Sequence, residues 1–143
     1  MSATDETIRK LFAIKKFYNH TLNSSEKILA GYLVFAKALY KRDFNSQQEL
    51  SDCCGCNKAH TSRTLLKMQK SGYIEIKNTN DEKIISLTPA GKQFAQKSMK
   101  REKEIFDTLS EDVSKEDMEI FNKVINQLVD KAEKLTNSAR SEV

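Results

Sequence analysis

The spacing of hydrophobic residues predicts a chain of helices that is interrupted once by β-structure. Apolar residues recur every three or four positions from Thr7 to Leu22, which is the period of a helix with one buried face. The next stretch, to about Tyr40, is apolar on most sides and predicts a second helix in the centre of a core. Residues 23–26 contain side-chain oxygens that can cap its start.

Two short helices around a glycine turn are predicted next. Ser46 and Glu49 have the spacing of a capping box, in which both side chains accept hydrogen bonds from backbone N–H groups at a helix start. We expect the helix that begins there to stop at Gly55, because glycine readily adopts the left-handed conformation of a helix end. Asn57 can cap the following helix, which we expect to run to Ser71.

The hydrophobic period then changes from helical to alternating. Two β-rich runs, 73–77 and 83–87, flank a polar turn at 78–81, and this pattern predicts a hairpin. Thr88 supplies a cap oxygen for a long charged helix, and Pro89 stands at its first position, where the missing N–H costs nothing.

A heptad pattern marks the last predicted helix. Its apolar residues alternate at spacings of three and four, as in helices that pack along a continuous seam. The seam can be covered by the helix that begins at Thr88 or by a second copy of the chain, and we favour the second copy. Its members are Met118, Phe121, Ile125, Leu128, Ala132 and Leu135.

Composition favours one folded domain. The chain has 143 residues, of which 38% are hydrophobic and 31% charged, unlike a disordered protein. The longest mostly apolar run, 28–39, is too short to cross a bilayer, and the acidic N-terminus is unlike a secretory signal. Three cysteines confined to 53–56 do not form an extracellular disulfide framework. We therefore expect a cytoplasmic, nucleoid-associated protein with no membrane partner.

Helix, glycine turn, helix and charged hairpin, in that order, is the plan of a winged helix-turn-helix. The predicted fold class is therefore mainly α with a small β-hairpin (α+β). Residues 57–77 contain five cations and one glutamate, a local excess equal to the net charge of +4 on the whole chain. Cations on such a helix neutralise DNA phosphates. A basic helix face that only meets solvent is the weaker alternative, because the cations coincide with the turn and the hairpin.

The segment from Ser46 to Gly91 resembles the DNA-binding core of MarR-family transcription regulators. The most specific part is the pattern Leu-Thr, two residues, Gly that begins at Leu87. The resemblance implies a single domain over 1–143, in which helices at 7–22 and 92–137 interlock two chains into a homodimer and the lobe 23–91 binds a pseudo-palindromic operator. It also implies a non-enzymatic regulator without a cofactor. We expect a repressor, relieved by a small-molecule effector or by thiol modification.

The resemblance also indicates which residues contact double-stranded DNA. The hairpin is about three residues shorter than is usual in the family, and its tip carries Asp81-Glu82-Lys83 where the family has Asp-x-Arg. Lysine lacks the planar fork of arginine, so we expect Lys83 to contact phosphate rather than the minor groove. The predicted DNA-binding residues are Lys58, His60, Thr61, Ser62, Arg63, Lys67, Lys70, Lys77 and Lys83.

Three further questions stay open on the sequence. Cys53, Cys54 and Cys56 either pack as small hydrophobes or, as a C-x-x-C pair with a neighbour, respond to an oxidant or bind a soft metal. The whole chain could instead be a winged-helix protein-interaction module without specific DNA binding. Aromatic residues at helical spacing either line an effector pocket or form the core: Phe12, Phe17, Tyr18, Tyr32, Phe35 and Tyr40.

Overall fold

A computed structural model describes residues 2–24 and 29–141, which form six helices and one antiparallel hairpin. The predicted α+β class is confirmed. Within the described residues, no helix combines the length and apolar character that crossing a membrane requires. The elements are α1 (Ala3–Ser24), α2 (Ala30–Lys41), α3 (Gln47–Cys54), α4 (Lys58–Lys70), β1 (Ile74–Thr79), β2 (Glu82–Leu87), α5 (Pro89–Leu109) and α6 (Lys115–Ser141). They fall into two compact units, Met1–Phe106 and Asp107–Val143.

Side-chain caps start four of the helices where the sequence predicts them. In each case the side-chain oxygen accepts a hydrogen bond from the backbone N–H three residues later, which satisfies a donor that the helix itself leaves free. The pairs are Ser46 with Glu49 at 3.0 Å, Asn57 with His60 at 2.8 Å, Thr88 with Gly91 at 3.0 Å, and Ser114 with Asp117 at 3.1 Å.

The junction between α1 and α2 differs from the prediction. Helix α1 continues to Ser24, past the predicted end at Leu22, and α2 begins only at Ala30. Asn23 nevertheless acts as a cap, because its Oδ1 accepts a hydrogen bond from the Ala30 N–H at 2.7 Å. Of the other predicted capping residues, Ser24 is the last residue of α1, and Ser25 and Glu26 lie outside the described residues.

The hairpin has a shorter turn than predicted. Its strands pair from Ile74 with Leu87 to Thr79 with Glu82, so the turn contains only residues 80 and 81 instead of 78–81. Asn80 has a φ of 42°, and asparagine tolerates this left-handed conformation better than most residues do. The tighter turn lets two more residue pairs join the ladder.

The base of the hairpin is fixed to the helices around it. Phe44, in the link between α2 and α3, exchanges two backbone hydrogen bonds with Ile85, at 3.0 and 2.8 Å. Gly91 approaches the residue before β1 so closely that a Cβ there would lie 1.9 Å from the Tyr73 carbonyl oxygen. The glycine of the Leu-Thr-x-x-Gly pattern therefore permits close packing of α5 on the strand.

The core of the first unit lies between α2, α3, α4, the hairpin and the start of α5. Helix α2 supplies buried residues such as Phe35 and Leu39, as predicted for a central helix. The core also contains Phe44, Leu50, Leu65, Met68, Ile74, Ile85, Leu87 and Ala95.

Helices α1 and α6 each expose apolar side chains. On α1, Phe12 is 65% exposed and Phe17 47%. On α6, three members of the heptad seam, Phe121, Leu128 and Leu135, are 44–59% exposed. Each helix thus presents an exposed hydrophobic surface within the part of the chain that the structure describes.

Candidate nucleic-acid interface

Helix α4 has one buried face and one exposed face. Leu65 and Met68 are fully buried in the core, and Thr61 and Thr64 lie on the same side of the helix. A helix turns by about 100° per residue, so the remaining positions point away from the core. The exposed positions are Lys58, Ala59, His60, Ser62, Arg63, Leu66, Lys67, Gln69 and Lys70.

The exposed face is cationic and begins at the N-terminal end of the helix. Arg63 lies near the centre of this face, with Lys70 two turns further on. Lys58 and Lys67 lie towards its edges. Because no acidic residue occurs between 58 and 70, the four cations present an unopposed positive surface from this helix.

Thr61 corrects the predicted set of DNA contacts. Its side chain is fully buried, and its hydroxyl lies 3.1 Å from the Ser51 hydroxyl and 2.9 Å from the Asn57 carbonyl oxygen. A side chain enclosed in this way does not reach a duplex. The reason is its spacing, which is one turn before Leu65 on the core side of the helix.

The buried hydroxyl of Thr61 belongs to a polar connection that sequence reasoning missed. The Ser51 hydroxyl donates a hydrogen bond to the Cys56 carbonyl oxygen at 2.6 Å and is itself within hydrogen-bond distance of Thr61. Helix α3, the turn and helix α4 are therefore joined by side chains. Gly55, with a φ of 65°, allows the sharp change of direction between the two helices.

His60 lies at the side of the exposed face. Its ring centroid is 6.1 Å from that of the buried Phe35, so the imidazole is directed towards α2. Its predicted base contact would come from this flank, whereas Ser62 and Arg63 project directly outwards from the same turn.

The two wing lysines lie on opposite faces of the hairpin. Residues paired across an antiparallel ladder project to the same side, and successive residues alternate. Lys77 pairs with Ile84, whereas Lys83 pairs with Asn78, so the two side chains point in opposite directions. Both are exposed, and the Lys77 Nζ is 3.7 Å from a carboxylate oxygen of Glu75. A ligand against one face of the hairpin therefore meets only one of these lysines.

Comparisons of the sequence alone identify no relative, since no family model matches it and no curated protein is similar enough to count. The structure is similar to many solved ones. A MarR transcriptional regulator from Methanosarcina mazei Go1 superposes with a TM-score of 0.77 at 20% identity, over 92% of this chain and 90% of that one. A MarR/EmrR family regulator from Acinetobacter sp. ADP1 superposes with a TM-score of 0.75 at 20% identity, over 92% of this chain and 95% of that one. MepR, a regulator of the Staphylococcus aureus multidrug efflux pump MepA, superposes with a TM-score of 0.69 at 15% identity, over 92% of this chain and 99% of that one.

The chain has the MarR fold. The resemblance that was carried by the motifs between Ser46 and Gly91 is thereby confirmed for the fold. TM-scores of 0.69–0.77 establish the shared architecture, and at identities of 15–20% they establish the architecture alone. The function is therefore inferred from what this chain's own residues can bind.

The cysteines of this MarR fold lie at the C-terminal end of α3 and in the turn. All three are free thiols, with Cys53 exposed and the other two partly buried. The Cys54 Sγ lies 3.7 Å from the Val34 carbonyl oxygen, and burial, aided by the neighbouring thiols, raises the pKa of Cys54 to about 12. Cys54 is therefore packed and protonated, as in the structural interpretation. Among the described residues, no group of three His, Cys, Asp or Glu side chains is arranged to hold a metal ion.

A cleft of about 690 Å³ opens between α2, α3 and α5 of the first unit. Of the six aromatic residues considered for an effector pocket, only Tyr40 lines it. Phe35 is buried in the core, Tyr32 packs edge-on against Tyr73, and Tyr18 donates a hydrogen bond to Glu102 on α5. The cleft is lined by Val34, Lys37, Ala38, Tyr40, Lys41, Arg42, Phe44, Cys53, Cys54 and Met99.

Proposed function

We propose that this protein is a sequence-specific, double-stranded DNA-binding transcription regulator that acts as a homodimer. The exposed cationic face of α4 is the observation that carries the proposal. Helix α4 is short, capped at its start and anchored along its inner face, and its outer side chains extend freely. A helix of this kind fits the major groove of B-DNA, where side chains can read base edges.

Two kinds of contact are combined on α4. Arg63, on the outward face, can form a bidentate pair with guanine. Lys67 and Lys70, in its last turns, and the hairpin lysines suit phosphates, which fix the position of a protein without reading sequence. Specific and non-specific affinity would therefore depend on different residues.

The exposed apolar surfaces of α1 and α6 support the homodimer. Side chains such as Phe12 and Phe121 remain about half exposed, and hydrophobic surfaces of this kind mark sites of protein association. A heptad seam needs a facing helix, and a second copy supplies one. Two-fold symmetry then places two α4 helices on half-sites about 34 Å apart, one turn of DNA.

We propose that the protein is a repressor, because a dimer that occupies an operator would block transcription.

The cleft beside α3 offers a site at which this repression could be relieved. Anything that fills it contacts Cys53 and Cys54 at the end of α3, and α3 is joined to α4 through Ser51 and Thr61. A small ligand or a modified Cys53 in the cleft would thus act on the helix that directs α4.

Selection of duplexes from a random pool with the purified protein tests the proposal. We expect an enriched, two-fold symmetric sequence, and an affinity that falls with salt at a log–log slope of about −0.9 for each phosphate contact. The double variant Arg63→Ala/Lys67→Ala should lose most of this affinity. Lys100→Ala, which removes an exposed cation from α5, serves as the matched control and should bind as the wild type does.

The protein-interaction module predicts a different result. A chain that enriches no sequence and shows no salt-dependent affinity for duplex DNA would contradict DNA regulation and favour the module. Light scattering in the same buffer separates the homodimer from a monomer that awaits a different partner.

A further inference from the structure

The exposed face of α4 contains one large side chain that phosphate binding does not explain. In this helix, every residue of which the structure describes, Leu66 is the only large apolar side chain that is exposed. It is 52% exposed, whereas its neighbour Leu65 is fully buried. Leu66 therefore contributes little to the core of the protein.

The position of Leu66 distinguishes it from an incidental surface leucine. It follows Ser62 and Arg63 by one turn and precedes Lys70 by one turn, so all four share the outward face. When the surrounding cations contact the phosphates on both sides of the major groove, a side chain in the centre of this face would lie closest to the base edges.

The chemistry of leucine restricts what it can recognise there. An aliphatic side chain makes no hydrogen bond with a base edge or a phosphate. The major groove presents one apolar group, the 5-methyl group of thymine, and proteins read it by apolar contact. Water lost from both surfaces would stabilise the contact.

We propose that Leu66 contacts the 5-methyl group of a thymine in each half-site, and so makes α4 selective for an A·T pair at that position. The inference rests on the proposed function, because it requires α4 to lie in the major groove. Arg63 and Leu66, one turn apart, would then read neighbouring positions by different chemistry, the first through hydrogen bonds and the second through apolar contact.

Replacement of thymine by deoxyuridine tests this contact, because deoxyuridine pairs normally with adenine and lacks only the methyl group. An operator selected with the wild-type protein is synthesised with each symmetric pair of thymines replaced in turn. Burial of one methyl group corresponds to about a fourfold change in affinity, so two half-sites should give a loss of about fifteenfold at one symmetric position. The other thymine positions should change less.

The variant Leu66→Ala identifies the side chain responsible. It removes the contact without adding a hydrogen-bonding group, and alanine is a good helix former. We expect Leu66→Ala to bind the thymine and deoxyuridine operators equally at that position. Leu29→Ala, which shortens an exposed leucine outside α4, should keep the wild-type ratio.

The outcomes separate the two proposals. If a sequence is enriched but no thymine position depends on its methyl group, or if the dependence persists in Leu66→Ala, the thymine contact is rejected and DNA regulation stands. A change in oligomeric state of Leu66→Ala with an unchanged thymine-to-deoxyuridine ratio also rejects the contact and assigns Leu66 to a protein interface. Failure to enrich any sequence rejects both proposals.

Discussion

Helix α4 and the hairpin both present cations at the proposed DNA surface, but they are held in different ways. The inner face of α4 is buried in the core, and its start is tied to α3 through Ser51 and Thr61. The hairpin is anchored at its base, by Phe44, by Gly91 and by core residues such as Ile74 and Ile85, while residues 77–83 are all exposed.

Because they are anchored differently, the two elements can divide the recognition of DNA between them. Reading a base edge requires side chains that are held at defined positions, and the anchoring of α4 supplies this. Phosphates are repeated along the backbone and tolerate variation in position. The exposed tip of the hairpin, which also carries Asp81 and Glu82, suits at most a weak contact of the second kind.

The largest change in stability is expected where a substitution removes the anchoring of α4 in the core. We expect Leu65→Ala to lower the free energy of unfolding by about 2–5 kcal/mol, because it opens a cavity in the core. Leu66→Ala, one residue further on, should change it by less than about 0.5 kcal/mol. Urea denaturation measures both, and equal effects would contradict the assignment of inner and outer faces.

The next effect separates specific from non-specific binding. Arg63→Ala should weaken binding to a selected operator by about 1–3 kcal/mol for each half-site, because a bidentate contact with guanine is lost. Affinity for random duplex DNA should fall much less. Fluorescence anisotropy with both duplexes gives the ratio, and an equal loss on both would make Arg63 a phosphate contact.

A smaller effect tests the connection between α3 and α4. Thr61→Val keeps the shape of the side chain but removes the hydroxyl near Ser51, which should cost about 1 kcal/mol of stability. Specific DNA affinity should fall as well, because the direction of α4 is less well defined. Ser51→Ala is the matched partner, and the effects of the two changes should be non-additive in the double variant. Additive losses would mean that the hydroxyls act independently.

Removal of a hairpin lysine should change DNA binding less than the substitutions in α4 do, and only one of the two lysines should matter. Since Lys77 and Lys83 point to opposite faces, only one of them can meet DNA that lies against one face. Alanine at that position should reduce the salt slope of binding by about 0.9 for each half-site, and alanine at the other should leave it unchanged. A reduction in both variants would show that the tip twists enough to present both lysines.

Alkylation of the cysteines should have the smallest effect on the stability of the fold. Iodoacetamide should modify the exposed Cys53 first, and the folded protein should keep its stability. Because the pKa of Cys54 is raised to about 12 by burial, its thiolate is scarce at neutral pH and its reaction should keep accelerating up to about pH 12. In urea the pKa returns towards that of an ordinary thiol, about 8.5, and Cys54 should react as Cys53 does. Mass spectrometry of time points distinguishes the two residues.

Features that depend on neighbours in sequence were predictable. The caps at Ser46, Asn57, Thr88 and Ser114 depend on contacts three residues away, and the end of α3 depends on the conformational freedom of Gly55. Helical and alternating periods are also local, so the amino-acid sequence is enough to predict the order of helices and strands and the cationic face of α4.

Features that depend on contacts between distant segments were not predictable from the sequence. Thr61 was assigned to DNA because the family resemblance marks a stretch of α4; its spacing places it on the core side, but the partner of its buried hydroxyl, Ser51, lies on another helix. The opposite directions of Lys77 and Lys83 follow from the register of the ladder, which the predicted four-residue turn left undefined. The cleft, likewise, combines side chains from α2, α3 and α5.

Local stereochemistry therefore suffices to specify the helices, the turn and the hairpin of this chain, because caps, glycine and hydrophobic period act over a few residues. Only the packed structure decides which hydroxyl is buried, which lysine faces which side and which leucine of the pair at 65 and 66 remains in water. The physical reason is that burial is a property of contacts between distant segments, and their relative placement is set by the core as a whole.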